Sequence, residues 1–129
     1  MYISKETREN VTHTMFSFHS HGSKAEERAM IDSGATHNFI DKKTVRRLKL
    51  GTHELAVPQV ITNVDGTKNQ DGRIMQYVDL EVIRGGQNEV QRFFVTNLGQ
   101  DCIIFGYPWL WTFNPTIDWK RGIQGLTVV

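Results

Sequence analysis

The sequence lacks most of what could tie a chain together covalently or hold it in a bilayer. Of 129 residues only one is cysteine, Cys102. A lone thiol forms no intrachain disulfide and no cysteine-based zinc site, and it suits a reducing compartment. Neither sign of charge dominates: 15 Lys and Arg stand against 14 Asp and Glu, a formal net charge of +1. No whole-molecule field therefore draws the chain to nucleic acid or to an anionic membrane. Apolar runs stay well short of the roughly 20 residues that span a bilayer. The opening stretch MYISKETREN is too polar for a signal peptide or an anchor. No internal repeat and no low-complexity segment interrupts the chain. What remains, 39% hydrophobic and 22% charged residues, fits one soluble, intracellular domain with a core of its own.

Read for organisation, the chain divides into a flexible polar arm over 1–12 and a domain over 13–129. From His13 the stretch THTMFSFH alternates at period two, placing Thr14, Phe16 and Phe18 on one face of a strand. SHGSKAEE is predicted to be a polar turn around Gly22, and RAMI a short return strand ending at Asp32. A helix is expected after Asp41, which can act as N-cap, with Ile40 and Val45 at the spacing of a hydrophobic staple and Gly51 as the stop. Its five basic residues (Lys42, Lys43, Arg46, Arg47 and Lys49) read as a solvated face. VPQVITNV and RIMQYVDLEVI are strand-like, with residues 65–72 as a long polar hairpin tip, and RGGQNE forms a second turn. DCIIFG reads as a buried strand. Pro108 then opens a short helix carrying Trp109, Leu110 and Phe113, which Pro115 ends at Asn114. Many short strands and two small helices predict a mostly-β, barrel-like domain.

One acid stands out. AMIDSGATHNFI, residues 29–40, sets Asp32 at the end of an apolar strand, where an unpaired carboxylate is costly to bury. Gly34 allows a tight turn with a backbone N–H free for the carboxylate, Ser33 adds a short hydroxyl, and Ala35 keeps the approach narrow. The tripeptide alone is weak evidence, since an Asx-type turn after a strand uses the same letters.

Three ordered blocks carry more weight: AMIDSGATHNFID at 29–41, ITNVDGT at 61–67, and VTNLGQDCIIFGYPWLWTFNPTIDWKRG at 95–122. With them the chain resembles the retropepsin-like aspartic proteases, most closely those of Ty3/gypsy-type retrotransposon polyproteins. The resemblance implies an acid-protease fold, all-β for the most part: half of a retropepsin-like closed β-barrel with two short helices. It makes Asp32 the catalytic acid, supported by Ser33, Gly34, Ala35 and Thr36 in the active-site loop. Val64, Asp65, Gly66 and Thr67 would sit in the flap over bound peptide. Ile103, Ile104 and Gly106 would belong to the strand passing behind the site. Phe105 departs from the family's usual Leu, and the flap lacks a Gly-rich tip. With no zinc knuckle before it and no polymerase after it, the chain reads as an excised, remnant or domesticated copy.

Peptide hydrolysis by carboxyls alone needs two of them, and Asp65, Asp71, Asp79, Asp101 and Asp118 lack the Asp-Ser-Gly context. The expected partner is therefore a second identical chain, forming an aspartic endopeptidase that processes a Gag-Pol-type polyprotein in the cytoplasm or a virus-like particle. No cofactor, metal, membrane or nucleic acid is expected. The alternative is a catalytically silent or domesticated dimerisation or peptide-binding module on the same fold. Three other readings of the sequence carry less weight. These are a histidine metal site around His19 and His21, Ser33 as a hydrolase nucleophile, and a base-stacking platform of Trp109, Trp111 and Trp119, since such aromatics usually form core.

Overall fold

A computed structural model of the chain describes residues 2–3, 11–63, 68–99, 101–118 and 122–128. Ten strands and two helices follow in order: β1 (Tyr2–Ile3), β2 (Val11–Ser20), β3 (Ser23–Asp32), β4 (Asn38–Asp41), α1 (Lys42–Arg47), β5 (His53–Asn63), β6 (Lys68–Arg84), β7 (Gln87–Thr96), β8 (Ile103–Phe105), α2 (Tyr107–Phe113), β9 (Pro115–Asp118) and β10 (Gly122–Val128).

β2 and β3 pair without interruption from Val11↔Asp32 to Ser20↔Ser23. Only His21 and Gly22 are left to turn, both with positive φ (51° and 78°), the geometry that matches strand twist in a two-residue hairpin. The predicted turn is thus too wide. Lys24 to Glu27 belong to β3, since the ladder with β2 satisfies their backbone and their side chains face out or lie half-buried. Within the stretch expected to be a flexible arm, Val11 and Thr12 continue β2, and Tyr2–Ile3 pair in parallel with Thr62–Asn63.

The other hairpins tighten in the same way. β6 begins at Lys68 and β7 at Gln87, so the predicted tip over 65–72 shrinks and the RGGQNE turn reduces to Gly85–Gly86. Polar composition marked these stretches as loop, but cross-strand pairing sets where a ladder ends. Around Pro58 the β5–β6 register slips between Glu54 and Gln59, as suits a residue with no N–H to give the ladder.

Pairing closes six strands into a ring: β6–β2–β3–β8–β4–β7 and back to β6. β5 and β1 extend from β6 outside it, and β9–β10 form a separate two-stranded sheet. Inside the ring, Phe16 and Phe18, Ala29 and Ile31, Val78, Leu80 and Val82, and Phe93 and Val95 alternate inward at period two. β8 and β4 obey a different rule. Ile103, Phe105 and Ile40 enter this core, while Ile104 and Phe39 enter a second cluster with Ala35 and Ile74. Burial on both faces explains why IIF is an unbroken apolar run.

α1 starts as expected: the Asp41 carboxylate accepts from the Lys43 N–H at 2.8 Å, and Ile40 and Val45 share the core. The five basic residues are exposed. Its end differs. The helix stops at Arg47, and Lys49 rather than Gly51 takes positive φ (54°). His21 reaches across from the first hairpin, its Nε2–H donating to the Lys49 carbonyl at 2.9 Å, which secures the strained residue from outside the helix. A carbonyl can only accept, so this contact assigns the proton to Nε2.

α2 places Trp109 on Phe105, ring centroids 4.7 Å apart and nearly parallel, with Phe113 behind at 5.7 Å. Trp109→Ala should therefore lower the unfolding free energy by about 3–5 kcal/mol, whereas Val90→Ser, at a position 65% exposed, should change it by less than about 0.5 kcal/mol. Urea denaturation of the two variants beside the parent checks both figures.

Candidate active site

β3 carries the chain along β8, in parallel register Met30↔Ile104 and Ile31↔Phe105, and leaves the sheet at Asp32. There it turns at once: the Ala35 N–H donates to the Asp32 carbonyl at 3.1 Å. Inside this turn the Gly34 N–H donates to Asp32 Oδ1 at 2.9 Å. Asp32 has no exposed surface, and its Oδ2 is buried with no hydrogen-bond partner among the described residues. Burial raises the proton affinity of Asp32 above the ordinary carboxylate range, and the N–H groups of Gly34 and Ala35 only partly oppose it. Geometry and electrostatics agree on a carboxyl that one oxygen anchors and whose other oxygen lacks a donor.

The turn is braced from behind. Gly106, the N-cap of α2, passes so close that a Cβ there would lie 2.3 Å from the His37 carbonyl oxygen and 2.6 Å from that of Ala35. Both obstacles are backbone, so only glycine fits. The Tyr107 N–H donates to the Ala35 carbonyl at 2.9 Å, and the Gly106 N–H to Asn38 Oδ1 at 2.9 Å.

Asn38 begins a buried polar chain that the sequence reading missed. Its Nδ2 donates to Gln91 Oε1 at 2.9 Å and to the Arg92 carbonyl at 3.2 Å. Gln91 Nε2 donates to Thr112 Oγ1 at 3.0 Å, and that hydroxyl donates to the Pro108 carbonyl at 2.9 Å. The Asp32 loop, β7 and α2 are thereby joined by satisfied donors and acceptors. A polar residue beginning the otherwise apolar NFI stretch was the available signal for Asn38. Asp41, foreseen only as a cap, also accepts from the Leu98 N–H at 2.9 Å through its second oxygen.

Of the expected site residues, Asp32, Gly34 and Ala35 meet in this one turn, with Ala35 buried. Ser33 and Thr36 are exposed. Ile103 and Ile104 lie in the strand beside it and Gly106 directly behind it. Val64, Asp65, Gly66 and Thr67 fall outside the described residues, as does Trp119. Trp111 departs from its expected place in the core: it is 74% exposed. On α2 it is opposed to Trp109 and Phe113, which take the inward side. Among the described residues no group of three or more His, Cys, Asp or Glu could hold a metal ion, and no helix is long and apolar enough to cross a membrane.

Two outcomes follow from the geometry. Gly106→Ala must push backbone rather than a flexible side chain, and should destabilise by at least about 2 kcal/mol in chemical denaturation. For Asp32, folding favours the neutral form. Its contribution is therefore fully present below the unfolded pKa and is lost as pH rises through the elevated folded value. Asp32→Asn should melt above the parent at neutral pH, with the gap closing as pH falls below the ordinary Asp range. Differential scanning calorimetry across pH reads both limits.

Comparison with known proteins agrees with this architecture. The retroviral protease-like domain of Ddi1 from Leishmania major superposes with a TM-score of 0.54 at 18% identity, covering 91% of this chain and 88% of that one. At that identity the likeness shows the fold. A retropepsin-like aspartic protease from Rickettsia conorii gives a TM-score of 0.48 at 19% identity, over 84% of this chain and 86% of that one. A protein-family model described as the PEG10/RTL1 protease domain matches residues 28–124, from β3 through β9 into β10, so the chain belongs to this retropepsin-like, Ty3/gypsy-derived protease domain family.

Proposed function

We propose that the chain is one half of an aspartic endopeptidase. The observation that supports this most directly is the Asp32 carboxyl. It sits on an Asp-Ser-Gly turn held from behind by backbone contacts, one oxygen anchored by Gly34 and the other without a donor among the described residues. The sequence has no second Asp-Ser/Thr-Gly to complete a pair. A twofold axis through the site would set Asp32 against its own symmetry mate.

Two such carboxylates at ~4 Å repel by about 4 kcal/mol at an effective dielectric of ~20, so the pair holds one proton over a wide pH range. The ionised member takes a proton from water, whose oxygen bonds to the peptide carbonyl carbon. The protonated member gives its proton to the carbonyl oxygen. Collapse of the resulting diol, with a proton passed to the departing nitrogen, breaks the C–N bond. Substrate would lie extended between the site floor and the β5–β6 arms, with a Gag-Pol-type polyprotein in the cytoplasm or a virus-like particle as its source.

A second reading, a retropepsin-fold module that dimerises or binds peptide without cutting, draws support from one feature: Asp32 has no exposed surface in the single chain. Access to the acid then depends on rearrangement when a partner or peptide arrives.

Incubation of parent and Asp32→Asn proteins with a peptide library from about pH 4 to 7, with and without a statine-type inhibitor, separates the two readings. The endopeptidase reading expects inhibitor-sensitive cleavage with a bell-shaped pH profile, reduced at least ~1,000-fold in the variant, and specific activity that falls on dilution. Equal cleavage by both proteins would overturn it. A folded parent that binds peptide and never cuts would establish the silent module.

A further inference from the structure

We infer that the exposed aromatic pair Tyr107 and Trp111 on α2 is a surface on which a second copy of this chain docks. The inference rests on the homodimeric reading above and assigns it residues.

α2 has the sequence YPWLWTF, without one charged residue. Trp109 and Phe113 are buried on one side of the helix. Tyr107 and Trp111, also four apart, are 57% and 74% exposed on the other, their ring centroids 6.2 Å apart. A helix that is apolar all round is normally covered on both sides. Among the described residues the other large exposed hydrophobics lie on strands: Met15 on β2, Val90 on β7, and Val57, Val60 and Met75 on the paired β5–β6 arm, so α2 is the one helix with an exposed aromatic pair.

Position selects the occupant. Tyr107, Trp111, Leu110 and Asn114 line an open groove of about 610 Å³ whose remaining wall is Ser33. The groove therefore begins one residue from the carboxyl that lacks a mate, and a twofold axis near Asp32 would bring the groove of one copy close to that of the other. A symmetric interface presents each patch to its own image, so any charge there would meet its like. None of the five lining residues carries one at neutral pH.

The area is of the right order. At 150–250 Å² per aromatic side chain, the exposed parts of the two rings leave roughly 300 Å² per copy, about a third of a standard interface when doubled. Large aromatics in such a position commonly dominate binding.

Sedimentation velocity over a concentration series, with peptidase assays on the same samples, tests the assignment on the parent, Trp111→Lys and Trp111→Ser. With Trp111 so exposed, both variants should keep the parent's circular dichroism, and the serine variant carries the test if lysine disturbs folding. The change enters a symmetric contact twice, so the dimer dissociation constant should rise about 100-fold for lysine and at least ~10-fold for serine. Activity per dimer should return once protein concentration exceeds the new constant. If the parent dimerises and both variants dimerise equally well, this surface assignment is wrong while the endopeptidase reading stands. A parent that cleaves as a strict monomer sinks that reading and the inference together.

Discussion

Gly106 crosses behind the Asp32 turn with no room for a side chain, its position fixed against the carbonyls of Ala35 and His37. The other features of the site lean on that crossing. Because the two backbones touch, the Tyr107 N–H reaches Ala35 and the Gly106 N–H reaches Asn38. Because α2 starts at that point, Trp109 lands on Phe105 and drives Phe113 into the barrel. One glycine thus couples the Asp32 turn to the stacked aromatics Phe105, Trp109 and Phe113 in the core.

The same crossing sets the electrostatics. A turn packed this tightly holds Asp32 away from water, and desolvation outweighs the amide donors that favour the ionised form. The chain accepts a less stable fold at neutral pH in exchange for an acid that readily keeps its proton. Such a concession is common where stability and reactivity compete for one position.

Much of this was legible from the amino acids. Period-two alternation found Phe16 and Phe18, the staple spacing found the start of α1, and the Asp-Ser-Gly block with its downstream IIFG marked the two elements that meet at the site. What escaped notice was set by partners distant in sequence. Lys24 to Glu27 look like loop until β2 supplies their hydrogen bonds. The end of α1 depends on His21, more than twenty residues earlier, instead of on the nearby Gly51. The chain of Asn38, Gln91 and Thr112 spans three elements and leaves no local pattern. Trp111 sits where a core aromatic was expected, because a helix this short can turn only one of its two aromatic pairs inward.

The longest strand has a mechanical meaning of its own. β6 pairs with β5 as far as Tyr77 and with β7 from Tyr77 onward, so one unbroken stretch of backbone is first an arm and then a stave of the barrel. There is no separate joint between the two. Force on the arm is borne by the wall that encloses Val78, Leu80 and Val82. A displacement of the arm is therefore transmitted along continuous backbone into the barrel wall, and does not end at a hinge between them.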